Sequence, residues 1–109
     1  MKTVLVTGAT SMIGSALCNA LAEQEYRVIA VVREHCTKLG RLKQGKNLEI
    51  IFCNMDEYSK IAEKVTGTVD IAVALAWSGT RGQSRNDLEL QERNYQYNME
   101  LLEQCHRLG

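Results

Sequence analysis

Proline, surplus charge and long apolar runs are all missing from this 109-residue sequence, and the last two absences narrow its possible functions. Thirteen Lys and Arg residues balance 13 acidic residues. Nucleic-acid binders and electrostatic membrane binders usually carry a marked basic excess, so we expect neither nucleic acid nor a membrane as partner. No apolar run reaches the roughly 18 residues of a membrane span, and the first residues lack the pattern of a secretory signal. We therefore predict a cytoplasmic protein with small-molecule or protein partners.

The cysteines and histidines lack the spacing of a metal or redox site. No Cys-x-x-Cys pair occurs, and the histidines lie far from each other and from any acidic cluster. Zinc sites and thioredoxin-like motifs need such close spacings, so we predict buried free thiols, no metal site and no function for either histidine. The residues concerned are Cys18, Cys36, Cys53, Cys105, His35 and His106.

Four short apolar runs alternate with segments of helical spacing, which predicts a single domain over residues 1–109. The predicted strands are Thr3–Thr7, Val28–Val32, Leu48–Phe52 and Val69–Trp77. The predicted helices run from Ile13 to about Gln24, from an Asp56 N-cap through Val65, and from Asp87 to Leu108, with a short one at Thr37–Lys43. Strands that are apolar throughout favour a parallel sheet covered on both faces. The predicted fold class is α/β, a doubly wound parallel sheet of about four strands in the order 3-2-1-4 with flanking helices.

The strongest local motif is a glycine-containing turn at residues 4–14, between the first strand and the first helix. A phosphate at such a turn meets free backbone N–H groups and the positive end of the helix dipole. Gly8 suits the tight turn, and Gly14 allows the helix to pack closely on the strand. Ser11 stands where a second glycine is expected, so its backbone angles are either ordinary or strained by about 1 kcal/mol. Its hydroxyl can also donate to a phosphate. The context favours dinucleotide binding over a turn without a ligand.

The sequence around this turn resembles the N-terminal half of the extended short-chain dehydrogenase/reductase superfamily, the NAD-dependent epimerase/dehydratase-like proteins. Thr7–Gly14 looks like the family's Thr-Gly-x-x-Gly-x-x-Gly turn, with Ser11 in place of the middle glycine. Asn54-Met55 is similar to an Asp-aliphatic pair that contacts adenine, with Asn for Asp. Asp70–Trp77 resembles the fourth strand, whose closing alanine lies beside the cofactor, and the last helix resembles the one that follows that strand. The resemblance covers nearly the whole chain.

The resemblance implies an NAD(P)-binding Rossmann-like domain, the cofactor-binding portion of an oxidoreductase, epimerase or dehydratase. The family's catalytic Tyr-x-x-x-Lys pair is absent, because no tyrosine here is followed four residues later by a lysine. In the family that pair comes after a fifth strand, and we expect it outside this sequence. A non-catalytic dinucleotide-binding module, which senses redox state or docks a partner, is the alternative. No catalytic residue is predicted. The predicted cofactor-binding residues are Gly8, Thr10, Ser11, Met12, Ile13, Gly14, Arg33, Asn54, Met55, Leu75 and Ala76.

The charge that follows the second strand favours NADP over NAD as the cofactor. An acidic side chain at the strand tip would bind a ribose 2′-OH and repel a 2′-phosphate. The tip here is the uncharged Val32, and Arg33 follows it. A guanidinium can bind a phosphate through paired hydrogen bonds, and residues 33–46 carry five basic side chains against Glu34 alone. The alternatives are a solvated basic loop, or Glu34 binding the 2′-OH of NAD.

Two apolar surfaces predict a homo-oligomer. The fourth strand lies at an edge of the predicted sheet, and an apolar, proline-free edge favours pairing with another chain. The last helix carries two apolar stripes on nearly opposite sides, one with Tyr95 and Met99 and the other with Tyr97 and Leu101. In the resembled family this helix contributes to a dimeric four-helix bundle, and we assign the Tyr97–Leu101 stripe to the partner. The alternative is that this stripe packs within its own chain.

Overall fold

A computed structural model describes residues 2–43, 45, 47–76 and 88–108, and this part of the chain contains four parallel strands. They are β1 (Thr3–Thr7), β2 (Arg27–Val32), β3 (Leu48–Phe52) and β4 (Ile71–Ala74). Two α-helices, α1 (Met12–Glu23) and α2 (Leu88–Arg107), and two 3₁₀ helices, Leu39–Arg41 and Met55–Lys64, accompany them. The sheet order is β3-β2-β1-β4 with every pair parallel. This order confirms the predicted α/β, Rossmann-like doubly wound fold.

The two central strands separate the core into two clusters, because successive residues of a strand point to opposite faces. Val4 and Val28 belong to the cluster beneath α1, and Leu5 and Ile29 belong to the cluster beneath α2 and the second 3₁₀ helix. β1 is buried throughout and β2 nearly so, whereas the edge strands β3 and β4 each expose part of their length. The prediction of strands covered on both faces therefore holds for the central pair and is wrong for the edges.

β4 is shorter than the predicted strand at Val69–Trp77. Its pairing with β1 ends at Ala74, because the next two backbone N–H groups turn to a side chain. Leu75 and Ala76 both donate to Thr7 Oγ1, over 3.1 and 3.2 Å. Trp77 lies outside the described residues. The hydroxyl of a β1 residue thus ends the fourth strand, which an apolar run cannot reveal.

The segment after β3 forms a 3₁₀ helix where the spacing predicted an α-helix. Tyr58 and Ile61, three residues apart, are both buried, and three residues per turn place them on one line. The N-cap is Asn54 and not the predicted Asp56. The short helix predicted at residues 37–43 is a single 3₁₀ turn, Leu39–Arg41, whereas α1 begins and ends within about one residue of its predicted limits.

The two apolar stripes of α2 are used in the opposite way to the prediction. Leu101 is fully buried in the second core cluster, and Tyr97 packs against that cluster. The stripe left exposed is the other one, with Tyr95 60% and Met99 45% accessible. The physical reason is the position of α2, which packs on the second 3₁₀ helix and turns Leu101 into the core beneath β1. The predicted first residue, Asp87, lies outside the described part of the chain.

Candidate functional site

A cavity of about 770 Å³ lies at the carboxyl ends of the strands. The chain passes from β1 to β2 and β3 on one side and then to β4 on the other, so the order of the sheet switches direction beside β1. Ligands of open α/β sheets bind at such a switch point, outside the carboxyl ends of the strands. The predicted site residues that line the cavity are Gly8, Thr10, Ser11, Arg33, Asn54, Met55, Leu75 and Ala76.

The two glycines of the first turn stand where no side chain fits. Gly8 has φ +65°, and a Cβ on it would lie 2.9 Å from the backbone nitrogen of Ala76. A Cβ on Gly14 would overlap the Gly8 carbonyl oxygen. Gly8 therefore permits the left-handed turn and the approach of the end of β4, and Gly14 permits α1 to pack against the turn.

Ser11 serves as the N-cap of α1. Its backbone angles are ordinary, φ −68° and ψ 165°, so the turn accommodates a side chain here without strain. Its Oγ donates to the Gly8 carbonyl at 2.8 Å and accepts from the Gly14 N–H at 3.0 Å. Because the single hydroxyl proton is bound within the turn, the backbone carries the donors for an anion, and the serine holds the turn in shape.

The start of α1 has backbone N–H groups without hydrogen-bond partners in the described part of the chain, and these carry partial positive charge. The N–H groups of Met12 and Ile13 have no acceptor among the described residues, and the first turn of the helix contains no acidic side chain. Free N–H groups and the helix dipole together make such an end attractive to phosphate. The side chains of Met12 and Ile13 are exposed, and neither they nor Gly14 line the cavity. For these three predicted residues, any contact with an anion would come from the backbone.

Thr7 holds the fourth strand's end against the first. Its side chain is fully buried and accepts hydrogen bonds from the N–H groups of Leu75 and Ala76. It also bonds to the hydroxyl of Tyr58, although burial dominates and raises the pKa of Tyr58 to about 12. A tyrosine that stays protonated in this way is a structural group and not a general base near neutral pH.

Asn54 joins the end of β3 to the segment after β2. The backbone N–H of Glu34 donates to Asn54 Oδ1 over 2.9 Å, and the Asn54 side chain makes no capping bond to the helix that follows it. The Asn54 amide, which the family resemblance predicts to contact adenine, is therefore held by the backbone of a residue 20 positions earlier in the chain.

The segment after β2 brings two basic side chains to the cavity. Arg33 and Lys38 line it, whereas Glu34, also exposed, does not. Arg41 is turned away to donate to the Thr10 carbonyl at 3.0 Å. Cys36, buried between these residues, is hydrogen-bonded to Thr10 Oγ1 at 3.4 Å, and this bond lowers the pKa of its thiol although burial opposes the effect. Two of the five basic side chains predicted for this segment, Arg33 and Lys38, therefore line the cavity.

Several lining residues were not predicted. Lys38 belongs to the basic run in the sequence, which could have signalled it. Tyr58 and Tyr97 lie far along the chain and reach the cavity only through the packing of α2 on the second 3₁₀ helix. The complete set of additional lining residues is Val31, Val32, Lys38, Cys53, Asp56, Tyr58 and Tyr97.

The described residues contain no group of three or more His, Cys, Asp or Glu side chains that could hold a metal ion. All four cysteines are free, as predicted, and three are buried, while Cys105 is partly accessible. Within the same residues, no helix has the length and apolarity to cross a membrane.

Comparison with known proteins identifies the family. Residues 4–109 match the model of the NAD dependent epimerase/dehydratase family, and the chain belongs to that family. No curated protein sequence matches it significantly. This membership confirms the resemblance stated from the sequence motifs.

Solved structures agree on the fold. The chain is similar to the enzyme WbmH of Bordetella bronchiseptica in complex with NAD+, at 18% identity and a TM-score of 0.76, over 98% of this chain and 35% of that one. It is also similar to the UDP-glucose 4-epimerase of Thermotoga maritima with UDP-glucose, at 22% identity and a TM-score of 0.76, over 98% of this chain and 35% of that one. A third similar structure is that of BdcA in complex with NADPH, at 21% identity and a TM-score of 0.76, over 98% of this chain and 47% of that one. The chain thus spans between a third and a half of the length of these three proteins.

Proposed function

We propose that the chain binds a nicotinamide dinucleotide across the carboxyl ends of its strands, as the cofactor-binding portion of an epimerase, dehydratase or reductase. The observation that carries the proposal is the cradle at the start of α1. There Gly8 and Gly14 leave no room for side chains, and the N–H groups of Met12 and Ile13 face no acceptor or acid among the described residues. This cradle fits a pyrophosphate, which needs close backbone approach and unpaired donors.

The rest of the cavity offers surfaces of suitable chemistry for the two ends of the dinucleotide. The ends of β2 and β3, with Asn54 and Met55, would hold the adenine half. Leu75 and Ala76, fixed by Thr7, would lie beside the nicotinamide half. A cavity of this size lies within the range of pockets for small ligands. The chain's own residues would bind and orient the dinucleotide and give one face of it an apolar wall.

The chemistry would come from the cofactor, because a bound nicotinamide ring accepts or donates a hydride. The sequence holds no Tyr-x-x-x-Lys pair, so we assign proton transfer to no residue of it. No feature of the cavity favours the non-catalytic module, the alternative raised from the sequence. The substrate is not assigned, since substrate specificity resides in sites and not in the fold. A cytoplasmic location stays a prediction from the sequence.

We further propose NADP as the preferred cofactor. Val32 ends β2 without a charge, Arg33 and Lys38 both line the cavity, and the exposed Glu34 does not. From the described part of the segment after β2, two cations and no carboxylate line the cavity, which suits a 2′-phosphate better than a free 2′-OH. A carboxylate that does line it, that of Asp56, follows β3. The guanidinium of Arg33 supplies paired donors, and the Lys38 ammonium adds a second charge.

Calorimetric titration of the chain with NADP+ and NAD+ tests both proposals. We expect NADP+ to bind about tenfold more tightly, since a hydrogen bond to a charged group contributes about 1.5–3 kcal/mol. Arg33→Ala should remove most of this difference and leave NAD+ binding nearly unchanged. Arg93→Ala, which removes the same charge from an exposed position on α2 away from the cavity, is the matched control. Equal affinities in the wild-type protein would refute the NADP preference, and binding of neither dinucleotide would refute the site.

A further inference from the structure

The orientation of the Asn54 amide is determined by its surroundings. The Glu34 N–H lies 2.9 Å from Asn54 Oδ1, and a backbone N–H can donate only to the oxygen of an amide. The reverse orientation would set an NH2 group against that N–H, with two donors facing each other. Oδ1 therefore points to the segment after β2, and Nδ2 is the end of the amide that remains for a ligand. Asn54 itself lines the cavity.

This arrangement determines the hydrogen-bonding character of the side chain. A carboxylate at the same position could accept from Glu34 with one oxygen and still present a second acceptor. The amide has only one oxygen, and Nδ2 carries two protons and accepts nothing. Toward a ligand, Asn54 is consequently a donor without charge.

Purine bases differ in what they offer to such a donor. Adenine presents an exocyclic 6-amino group, which donates, beside ring nitrogens that accept; an oxo group at the same position accepts. A donor side chain can pair with N7 of either base and with the 6-oxo group, but not with the 6-amino group. N1 accepts in adenine and carries a proton in the 6-oxo base. A carboxylate would favour the amino group and repel the oxo group.

We propose that Asn54 makes the base end of the dinucleotide site a hydrogen-bond donor, so that binding does not depend on the 6-amino group of adenine. The inference rests on the proposed function, because it concerns the same cavity. It extends that function to the specificity for the base, and predicts that a 6-oxopurine dinucleotide is also accepted.

Asp56 is the competing group at this end of the cavity. Its carboxylate is exposed and lines the same space two residues beyond Asn54, so it could accept from a 6-amino group and restore selectivity for adenine. Asp56 bears no fixed contact comparable to that of Asn54 with Glu34 in the described residues. The test must therefore separate the two side chains.

The experiment compares the affinities of NADP+ and its hypoxanthine analogue, in which an oxo group replaces the 6-amino group, by calorimetric titration. In the wild-type protein we expect the two affinities to agree within about threefold. Asn54→Asp keeps an acceptor for the Glu34 N–H and should create a preference for adenine of about tenfold or more. Asp56→Asn should leave the wild-type ratio unchanged. Gln96→Glu, the same change of amide to carboxylate at an exposed position on α2, is the control.

Each result decides between the alternatives. A wild-type preference for adenine of about tenfold or more overturns the proposal, and its disappearance in Asp56→Asn assigns the selectivity to Asp56. An unchanged ratio in a folded Asn54→Asp variant overturns it as well. The wild-type ratio alone tests the idea if that variant does not fold. Failure of both dinucleotides to bind the folded wild-type protein refutes the proposed function itself, which is distinguishable from a selective site.

Discussion

Gly8 has two separate reasons to be glycine, and a substitution should reveal both. Its φ of +65° disfavours any other residue, and an added Cβ would meet the backbone of Leu75 and Ala76 at 2.9 Å. We expect Gly8→Ala to lower the free energy of unfolding by about 1–3 kcal/mol, as for other residues in sparsely populated backbone regions. It should also weaken dinucleotide binding, since the end of β4 must move. Urea unfolding and calorimetric titration measure the two effects.

Gly40 provides the control for that substitution. It lies in the first 3₁₀ helix at a negative φ, and no atom lies within 4 Å of a Cβ placed on it. Gly40→Ala should therefore leave stability within about 0.5 kcal/mol of the wild-type protein. Equal losses in the two variants would mean that the tight turn around Gly8 does not have the geometry described.

Single residues of the site were predictable to different degrees. The positions of Gly8 and Ser11 follow from the motif, because a strand, a tight turn and a helix are local in sequence. The role of Ser11 as a cap that binds Gly8 and Gly14 did not follow, since a hydroxyl can donate or accept in several ways. The contact of Asn54 with Glu34 was equally hidden, because it joins two strand ends that are adjacent only in the folded sheet.

At the level of the elements, substitutions in α2 can test which of its two apolar stripes lies in the core. Leu101 is fully buried and the adjacent Leu102 is 52% exposed. We expect Leu101→Asp to unfold the protein, because it buries a charge without a partner. Leu102→Asp should change the free energy of unfolding by no more than about 0.5 kcal/mol, and thermal unfolding compares the two directly.

The Leu102→Asp variant also tests the predicted homo-oligomer. The exposed stripe with Tyr95 and Met99 also contains Leu102. If copies of the chain associate through this stripe, the Leu102→Asp variant should have a sedimentation coefficient closer to that of a monomer than the wild-type protein has. The reason is that the variant places a charge within an apolar contact. A wild-type protein that sediments as a monomer at all concentrations would contradict the predicted association. Periodicity placed both stripes correctly but could not tell which one meets the core, since their side chains are similarly apolar.

The remaining elements show where local pattern stops being informative. β1 and β3 have the predicted limits, because an apolar run bounded by polar residues is a local signal. β4 was predicted too long because Thr7 takes the N–H groups that would continue the strand. The second 3₁₀ helix was taken for an α-helix because spacings of three and four residues are both present in a short amphipathic segment.

For the molecule as a whole, the connectivity of the strands predicted the location of the site better than any single helix or strand did. The order β3-β2-β1-β4 follows from parallel strands and right-handed crossovers, and it places the switch of direction beside β1. The site lies at that switch, so its location could be predicted. The residues that line it could not all be predicted, because Tyr58 and Tyr97 belong to two different helices, which pack on each other only in the folded protein.

Three thiols and one phenol whose pKa is raised by burial give the whole molecule a predictable dependence on alkaline pH. Burial raises the pKa of Cys18 to about 11 and, with a smaller opposing effect from Thr7, that of Tyr58 to about 12. Burial also raises the pKa of Cys53 and Cys105. The native state therefore keeps these protons at a pH where the unfolded chain has lost them. By proton linkage, the stability that these four groups contribute is complete below about pH 9 and falls as pH rises through their native pKa values. Cys36, whose pKa is lowered, does not share this loss.

Urea unfolding under reducing conditions between pH 8 and pH 12 measures this loss. We expect a decrease of up to about 1.4 kcal/mol per pH unit for each group that titrates only in the unfolded chain. Cys18→Ala should lower stability at pH 8 yet reduce the slope between pH 9 and 11, and Tyr58→Phe should reduce it between pH 10 and 12. Tyr95→Phe removes a hydroxyl from an exposed ring and should leave the profile unchanged. A flat wild-type profile over this range would contradict the burial of these groups, because a proton held equally in both states has no effect on folding.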